Sequence, residues 1–537
     1  MINMKTITQV KLMVYVILFI VVLDNFTFFQ NVFKIYPPDG QNIGFLISLF
    51  FLILFLNLFF FILFSSRYTT KPILIILLIV SSFTTYFMGS YHIVVDTDMI
   101  KNILQTNLNE SSDLLSVRLI IYVMFLGFIP SAIVYKAKVD YRGIKIELWA
   151  KLKMIILSLI VIIASVMLFS KHYASFIREH KPLRYLINPT YWVYSIEKYI
   201  GNVFNDSKIV VAPLGTDARI KDNQKRLIIM VVGEAARADH FSLNGYSKET
   251  NPLLEKDDII DLPNTYSCGT STAYSVPCMF SKFTRDQYSH RKAISNENVM
   301  DVLHHTNSID ILWRDNNSDP KGVMARLGYE DYKSSKNNTI CTNGECRDEG
   351  MLVGLDKFVT SSKKNNIFIV LHQMGNHGPA YYKRYPKAYE EFKPICQTNQ
   401  LEECTKEEIN HAYDNAILYT DYFLDKTINF LKHYDSEYKT AMIYMSDHGE
   451  SLGENGVYLH GLPYFMAPEA QKHIGAILWF GDQMKEDIDI NALMKNKDKK
   501  YSQDNLFHTL LGLFDVETKV YNNKLDMIHN TKKGVQK

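Results

Sequence analysis

The sequence predicts two architectures in series: a bundle of five transmembrane helices, then a soluble α/β domain. Three observations lead there. Composition shifts abruptly near residue 170, five long apolar runs precede that point, and strand-like runs alternate with helical ones after it. At 537 residues the chain exceeds one ordinary domain, and its net charge of +2 gives no general reason to expect a nucleic-acid partner.

The apolar runs fall at about 12–33, 44–64, 72–90, 117–135 and 153–170, each close to the roughly 20 residues a helix needs to cross the hydrocarbon core. Helices are the form that satisfies its own backbone in lipid. A signal peptide does not explain the first run, because no small-residue cleavage site follows Phe33 and four further spans come after it. Lys5 and Lys11, Arg67 and Lys71, and the cluster Lys136, Lys138, Arg142, Lys145, Lys151 and Lys153 mark alternate connections as cytoplasmic. An odd number of crossings then places everything after Phe169 outside. The expected division is a transmembrane domain at 1–170, an interfacial bridge at 171–220 and a catalytic domain at 221–537.

All six cysteines lie in the second half, as Cys268 with Cys278, Cys341 with Cys346 and Cys396 with Cys404. Close pairs in turn-rich sequence can bridge neighbour to neighbour, which would imply an oxidising compartment. Six cysteines also allow fourteen other connectivities, a subset of the fifteen possible. A zinc-thiolate knot is the weaker reading, since no C-x2-C pair occurs.

Outside the membrane runs, Asp98 to Glu110 reads as an amphipathic helix in which Asn102, Thr106 and Glu110 recur every fourth residue. That polar face suits solvent and a lipid headgroup about equally well. From Arg226 onward, the apolar runs Leu227–Val232, Ile309–Trp313, Ile367–Leu371, Ala441–Met445 and Gly475–Phe480 imply a mostly parallel sheet buried on both faces. Sites on such sheets form at the carboxyl ends of strands.

The polar clusters fall at those ends. Glu234 follows the first run, and Ser446-Asp447-His448-Gly449-Glu450 follows the fourth, offering hard oxygen and imidazole ligands that suit zinc. Taken singly, each has a plain structural reading, a helix N-terminal charge or a capped turn. Between them lies Ser267-Cys-Gly-Thr-Ser-Thr272-Ala-Tyr-Ser-Val-Pro-Cys278. A threonine hydroxyl is a poor nucleophile at neutral pH, and coordination to a cation is one of the few ways to activate it. Asn317 and Lys321, His372 and His377, and His460 supply further groups for a phosphate and an amine-bearing headgroup.

Together these motifs resemble the phosphoethanolamine transferases of Gram-negative inner membranes, the lipid A type associated with polymyxin and colistin resistance. The resemblance covers nearly the whole chain and is most specific at the Thr272 turn. It implies an alkaline phosphatase/sulfatase-like soluble domain in the periplasm, with cysteines bridged neighbour to neighbour. It implies zinc held by Glu234, Thr272, Asp447 and His448, with Thr272 taking phosphoethanolamine from phosphatidylethanolamine. Asn102, Thr106, Glu110, Asn317, Lys321, His377 and His460 would then bind substrate, and His377 with His460 could hold a second metal. Lipid A or another envelope component is the implied acceptor, and a monomer is expected. A lipoteichoic-acid-synthase-like glycerophosphate transferase fits less well, because of the cysteine-bounded turn. A sulfatase lacks support because Thr272 sits in Thr-Ala-Tyr. A pseudoenzyme would be expected to have lost a ligand.

Overall fold

The computed structural model describes residues 6–105, 114–206, 209–342 and 344–533. The chain divides into two compact units, Met1–Ile100 with Leu115–Ile200 and Lys101–Leu114 with Gly201–Lys537.

The first unit is helical. Its long elements are α1 (Gln9–Leu23), α2 (Phe26–Ile35), α3 (Ile43–Leu63), α4 (Thr70–Ser90), α5 (Val117–Lys136) and α6 (Ile144–Leu168). Among the described residues, α3 to α6 are each long and apolar enough to cross a bilayer, while α1 and α2 qualify only as a pair bent by 54°. The sequence reads 12–33 as one uninterrupted run. The break comes at Asp24 and Asn25, where side chains replace the helical ladder. Asn25 Nδ2 donates to the Ile20 carbonyl at 3.1 Å, and Asn188 Nδ2 donates to the Asp24 carbonyl at 2.9 Å. The last span starts at Ile144 rather than near 153, because its helix continues through the charged turns that an apolar window leaves out. Its apolar side chains Ile156, Ile160, Ile163 and Met167 are exposed, as a lipid-facing wall requires.

The second unit is built on a seven-stranded sheet of β1 (Arg226–Gly233), β2 (Ile259–Asp261), β3 (Ile309–Asp315), β4 (Glu330–Asp331), β5 (Asn366–His372), β6 (Lys439–Ser446) and β7 (Ala476–Phe480). The spatial order is β2-β7-β6-β1-β5-β3-β4. Pairing is parallel from β6 through β4, and β7 is antiparallel to both β6 and β2. Every residue of β1 is buried. Because side chains alternate along a strand, Ile228, Met230 and Val232 enter one apolar core together with Phe368, Val370, Ala441, Ile443 and Met445. The intervening residues are buried on the opposite face, which is why these strands read as continuous apolar runs rather than alternating ones.

All three neighbouring cysteine pairs are bonded, Cys268–Cys278, Cys341–Cys346 and Cys396–Cys404.

Candidate active site

Strand register assembles the site. Ser446 pairs with Gly233 in the parallel β6–β1 ladder, so the residues that follow, Asp447 and Glu234, leave the sheet side by side. Beyond Glu234 the chain turns sharply, and Ala235 adopts a left-handed φ of +54°. Tyr413 holds that turn from the long helix α8 (Lys406–Tyr434): its hydroxyl donates to the Ala235 carbonyl at 2.6 Å and accepts the Arg237 N–H at 2.9 Å. After His448 the backbone passes so close to Ala470 that a Cβ at Gly449 would lie 2.1 Å from a carbonyl oxygen, so the glycine is sterically required. Thr272 is the first residue of α7 (Thr272–Met279) and follows extended Ser271. The helix therefore opens on the nucleophile candidate, with backbone N–H groups and the positive dipole end turned the same way.

The four groups meet. The Thr272 hydroxyl donates to Glu234 Oε2 at 3.0 Å and lies 3.4 Å from His448 Nε2. His448 Nε2 is 3.2 Å from Glu234 Oε1 and 3.4 Å from Asp447 Oδ2. Its other ring nitrogen, Nδ1, bonds the Gly449 carbonyl at 2.8 Å, which directs Nε2 into the cluster. Glu234, Asp447 and His448 are fully buried.

This arrangement fits a divalent cation. Glu234 Oε1 and Asp447 Oδ2 are buried without a hydrogen-bond partner, an expensive state for a carboxylate oxygen. One ligand atom from each of Glu234, Asp447 and His448 lies within 4.8 Å of the others. Burial works against the charged imidazole of His448, yet Asp447 and Glu234 outweigh it and raise its pKa to about 10. Burial and the neighbouring Glu234 raise that of Asp447. Two carboxylates and one imidazole thus compete for too little positive charge. A nitrogen, two carboxylates and a neighbouring hydroxyl are donor types that suit a divalent cation such as zinc.

The remaining expected residues are placed as follows. Asn317 Nδ2 donates to Glu234 Oε2 at 2.7 Å and to the Gln373 carbonyl at 3.0 Å. Lys321 is buried, with φ of +49°, and its Nζ stands 3.9 Å from Asp319 Oδ2. The His460 ring lies 4.2 Å from that of His448 and 5.5 Å from that of His377. His377 Nδ1 is buried without a partner. Asn102 sits on the helix Thr97–Gln105, whereas Thr106 and Glu110 lie outside the described residues.

Two features carry no sequence signal of their function. Glu450 is fully buried, accepts from Tyr381 Oη at 2.7 Å and faces His460 Nδ1 at 2.7 Å, and it belongs with His448 and His460 to a second cluster of metal-ligand geometry. Glu450 closes the Ser446–Glu450 motif, where the sequence alone assigns it no role. His372 Nδ1 bonds Asp315 Oδ2 at 2.8 Å, and Trp313 Nε1 donates to the same oxygen at 3.0 Å. A carboxylate one strand away leaves no local trace in the chain.

A membrane-anchored catalytic domain with this sheet and this cluster is a member of the alkaline phosphatase/sulfatase superfamily. Residues 226–516 match the sulfatase family, and residues 52–203 match the family described as phosphoethanolamine transferase EptA/EptB. The chain is 43% identical over 527 residues to the phosphatidylethanolamine transferase Mcr-2 of Escherichia coli, covering 94% of this chain and 95% of that one. It is 37% identical to the phosphoethanolamine transferase EptA of Escherichia coli K12, covering 95% and 94%. The solved lipooligosaccharide phosphoethanolamine transferase A of Neisseria meningitidis superposes with a TM-score of 0.94 at 33% identity, covering 98% of this chain and 100% of that one. The chain belongs to the phosphoethanolamine transferase family. It is an inner-membrane enzyme with its catalytic domain in the periplasm.

Proposed function

We propose that this chain transfers phosphoethanolamine from phosphatidylethanolamine to lipid A through a covalent phospho-Thr272 intermediate, at a zinc site formed by Glu234, Thr272, Asp447 and His448. The observation that carries the reading is the Thr272 hydroxyl at a helix N-terminus, 3.0 Å from Glu234 and 3.4 Å from His448. Bound zinc supplies the Lewis acidity that makes a threonine hydroxyl nucleophilic at neutral pH. Glu234 Oε2 accepts the hydrogen bond of that hydroxyl and takes its proton as the new bond forms. Thr272 Oγ1 then forms a bond to the donor phosphorus while the bond to the diacylglycerol oxygen breaks, and an acceptor oxygen later displaces Thr272 from the same phosphorus.

His460 is oriented by Glu450 through Nδ1, so Nε2 is the ring nitrogen suited to protonate the leaving oxygen. Lys321 and the α7 N-terminus offset phosphoryl charge. Asn317 orients Glu234, and Asn102, Thr106 and Glu110 are assigned to the donor headgroup. The alternative role for His377 and His460 is to hold a second zinc, which would take His460 Nε2 out of proton transfer. The proposal keeps the division into 1–170, 171–220 and 221–537 and counts the bent α1–α2 pair as the first of five crossings. The Neisseria relative is named for a lipooligosaccharide acceptor, which supports lipid A here. Lower negative charge on lipid A would weaken polymyxin binding.

Mass spectrometry of lipid A from cells with the wild-type chain, the Thr272→Ala variant or neither tests the proposal. Phosphoethanolamine-bearing lipid A is expected with the wild type alone. Its presence with Thr272→Ala, or its absence with the wild type, rejects the reading.

A further inference from the structure

Residues 501–505 carry no recognisable motif, yet they reach both halves of the active site. Tyr501–Ser502 pairs in parallel with Thr265–Tyr266, which brings the next residues of the two segments, Gln503 and Ser267–Cys268, together. Gln503 begins a single helical turn closed by a capping box between Ser502 and Asn505, and it is 1% exposed. Its carboxamide makes three hydrogen bonds. Oε1 accepts the Cys268 N–H at 2.7 Å, while Nε2 donates to the Ser446 carbonyl at 2.8 Å and to the Asp447 carbonyl at 2.7 Å. Both amide hydrogens are thereby used. The adjacent Asp504 accepts the Arg285 N–H at 2.8 Å, beyond the far cysteine of the nucleophile turn. One uncharged side chain thus joins the backbone of the disulfide-bounded turn to the strand end that presents Asp447 and His448.

We infer that Gln503 is a positioning residue for the transfer reaction, a crossbar that sets the separation between the Thr272 hydroxyl and the Asp447–His448 pair. The inference rests on the proposed phospho-Thr272 chemistry and adds a residue to it. Reacting groups that sit 3.0 to 3.4 Å apart tolerate little drift, and a displacement of about 1 Å can cost on the order of 100-fold in rate. An amide fits where a carboxylate does not, because two of its three partners are carbonyl oxygens. The residues assigned to the donor headgroup, Asn102, Thr106 and Glu110, belong to a different segment, so donor binding is separable from alignment.

The test uses the full-length protein in phosphatidylethanolamine vesicles with saturating zinc, and reads diacylglycerol release, zinc content, free thiols and thermal unfolding. Gln503→Met keeps the side chain's length and removes all three hydrogen bonds. Gln503→Glu keeps the bond from Cys268 and turns the other two into repulsions. Both are expected to lower kcat at least tenfold with KM within twofold, with the Cys268–Cys278 bond retained, and to lose zinc to a chelator at about a tenfold lower chelator concentration. If methionine prevents folding, the glutamate variant is read alone. The inference is overturned if kcat per folded, zinc-loaded molecule stays within twofold of wild type, or if the loss is confined to KM or to the folded fraction. A wild-type protein that releases no diacylglycerol rejects the transfer reading itself, which separates the two failures.

Discussion

Glu234 Oε2 accepts from both Thr272 and Asn317, at 3.0 and 2.7 Å, while Oε1 has no hydrogen-bond partner. The two oxygens of one carboxylate therefore do different work: one is held by donors, the other faces His448 Nε2 at 3.2 Å, in the proposed cation site. Asn317 fixes that division, because its amide is itself anchored on the Gln373 carbonyl. Asn317→Leu would let the carboxylate rotate and leave the Gln373 carbonyl unpaired. The expected effect is about a tenfold loss in diacylglycerol release, corresponding to roughly 1.4 kcal/mol of misalignment, with the protein still folded. An unchanged rate in a folded, zinc-loaded variant would reject this role.

Strand β2 shows how an edge element sets pH dependence away from the site. It ends at Asp261, which is 7% exposed and has an unpartnered Oδ1. Burial pushes its carboxyl up to about 7, with Lys497 opposing and Asp498 adding to the shift. The folded value lies above the ordinary value of 3.8, so the fold prefers the neutral acid. That contribution is complete below the ordinary value and is lost as pH rises through about 7. Asp261→Asn removes the titration, so its Tm advantage over wild type should be larger at pH 8 than at pH 5. Thermal unfolding at the two pH values checks this, and a difference that does not change with pH would count against it. The same strand marks where sequence reading stops. The long buried strands β1, β3, β5, β6 and β7 are legible as apolar runs, and Glu234 and Asp447 stand out as carboxylates within two residues of where such runs end. β2 and β4 have only three and two residues, too few to show a period. The bend at Asp24 and Asn25 is hidden because the residues around it stay apolar. Gln503 is invisible because its place depends on pairing with a segment more than 200 residues earlier, as the separation of 235 between it and Cys268 shows.

The two units divide the labour of the proposed reaction, whose donor is a membrane lipid. The second unit holds the sheet, the ligand cluster and all three disulfides, whereas the first unit supplies the spans that keep the catalyst at the bilayer. Chemistry and encounter should therefore be separable. For a tethered enzyme the search for lipid is a short-range event at high effective concentration, and for a free domain it is a search from bulk solution. A chain beginning at residue 221 also lacks Asn102, Thr106 and Glu110, so it is expected to bind zinc as the full chain does and to form phospho-Thr272 from a short-chain, water-soluble phosphatidylethanolamine about tenfold more slowly, the cost of those headgroup contacts. On phosphatidylethanolamine embedded in vesicles its rate should fall by at least a further tenfold. Phospho-Thr272 measured by mass spectrometry with both donors decides it. Equal losses on the two donors would show that the removed segment acts only through headgroup contacts and that anchoring contributes nothing to encounter.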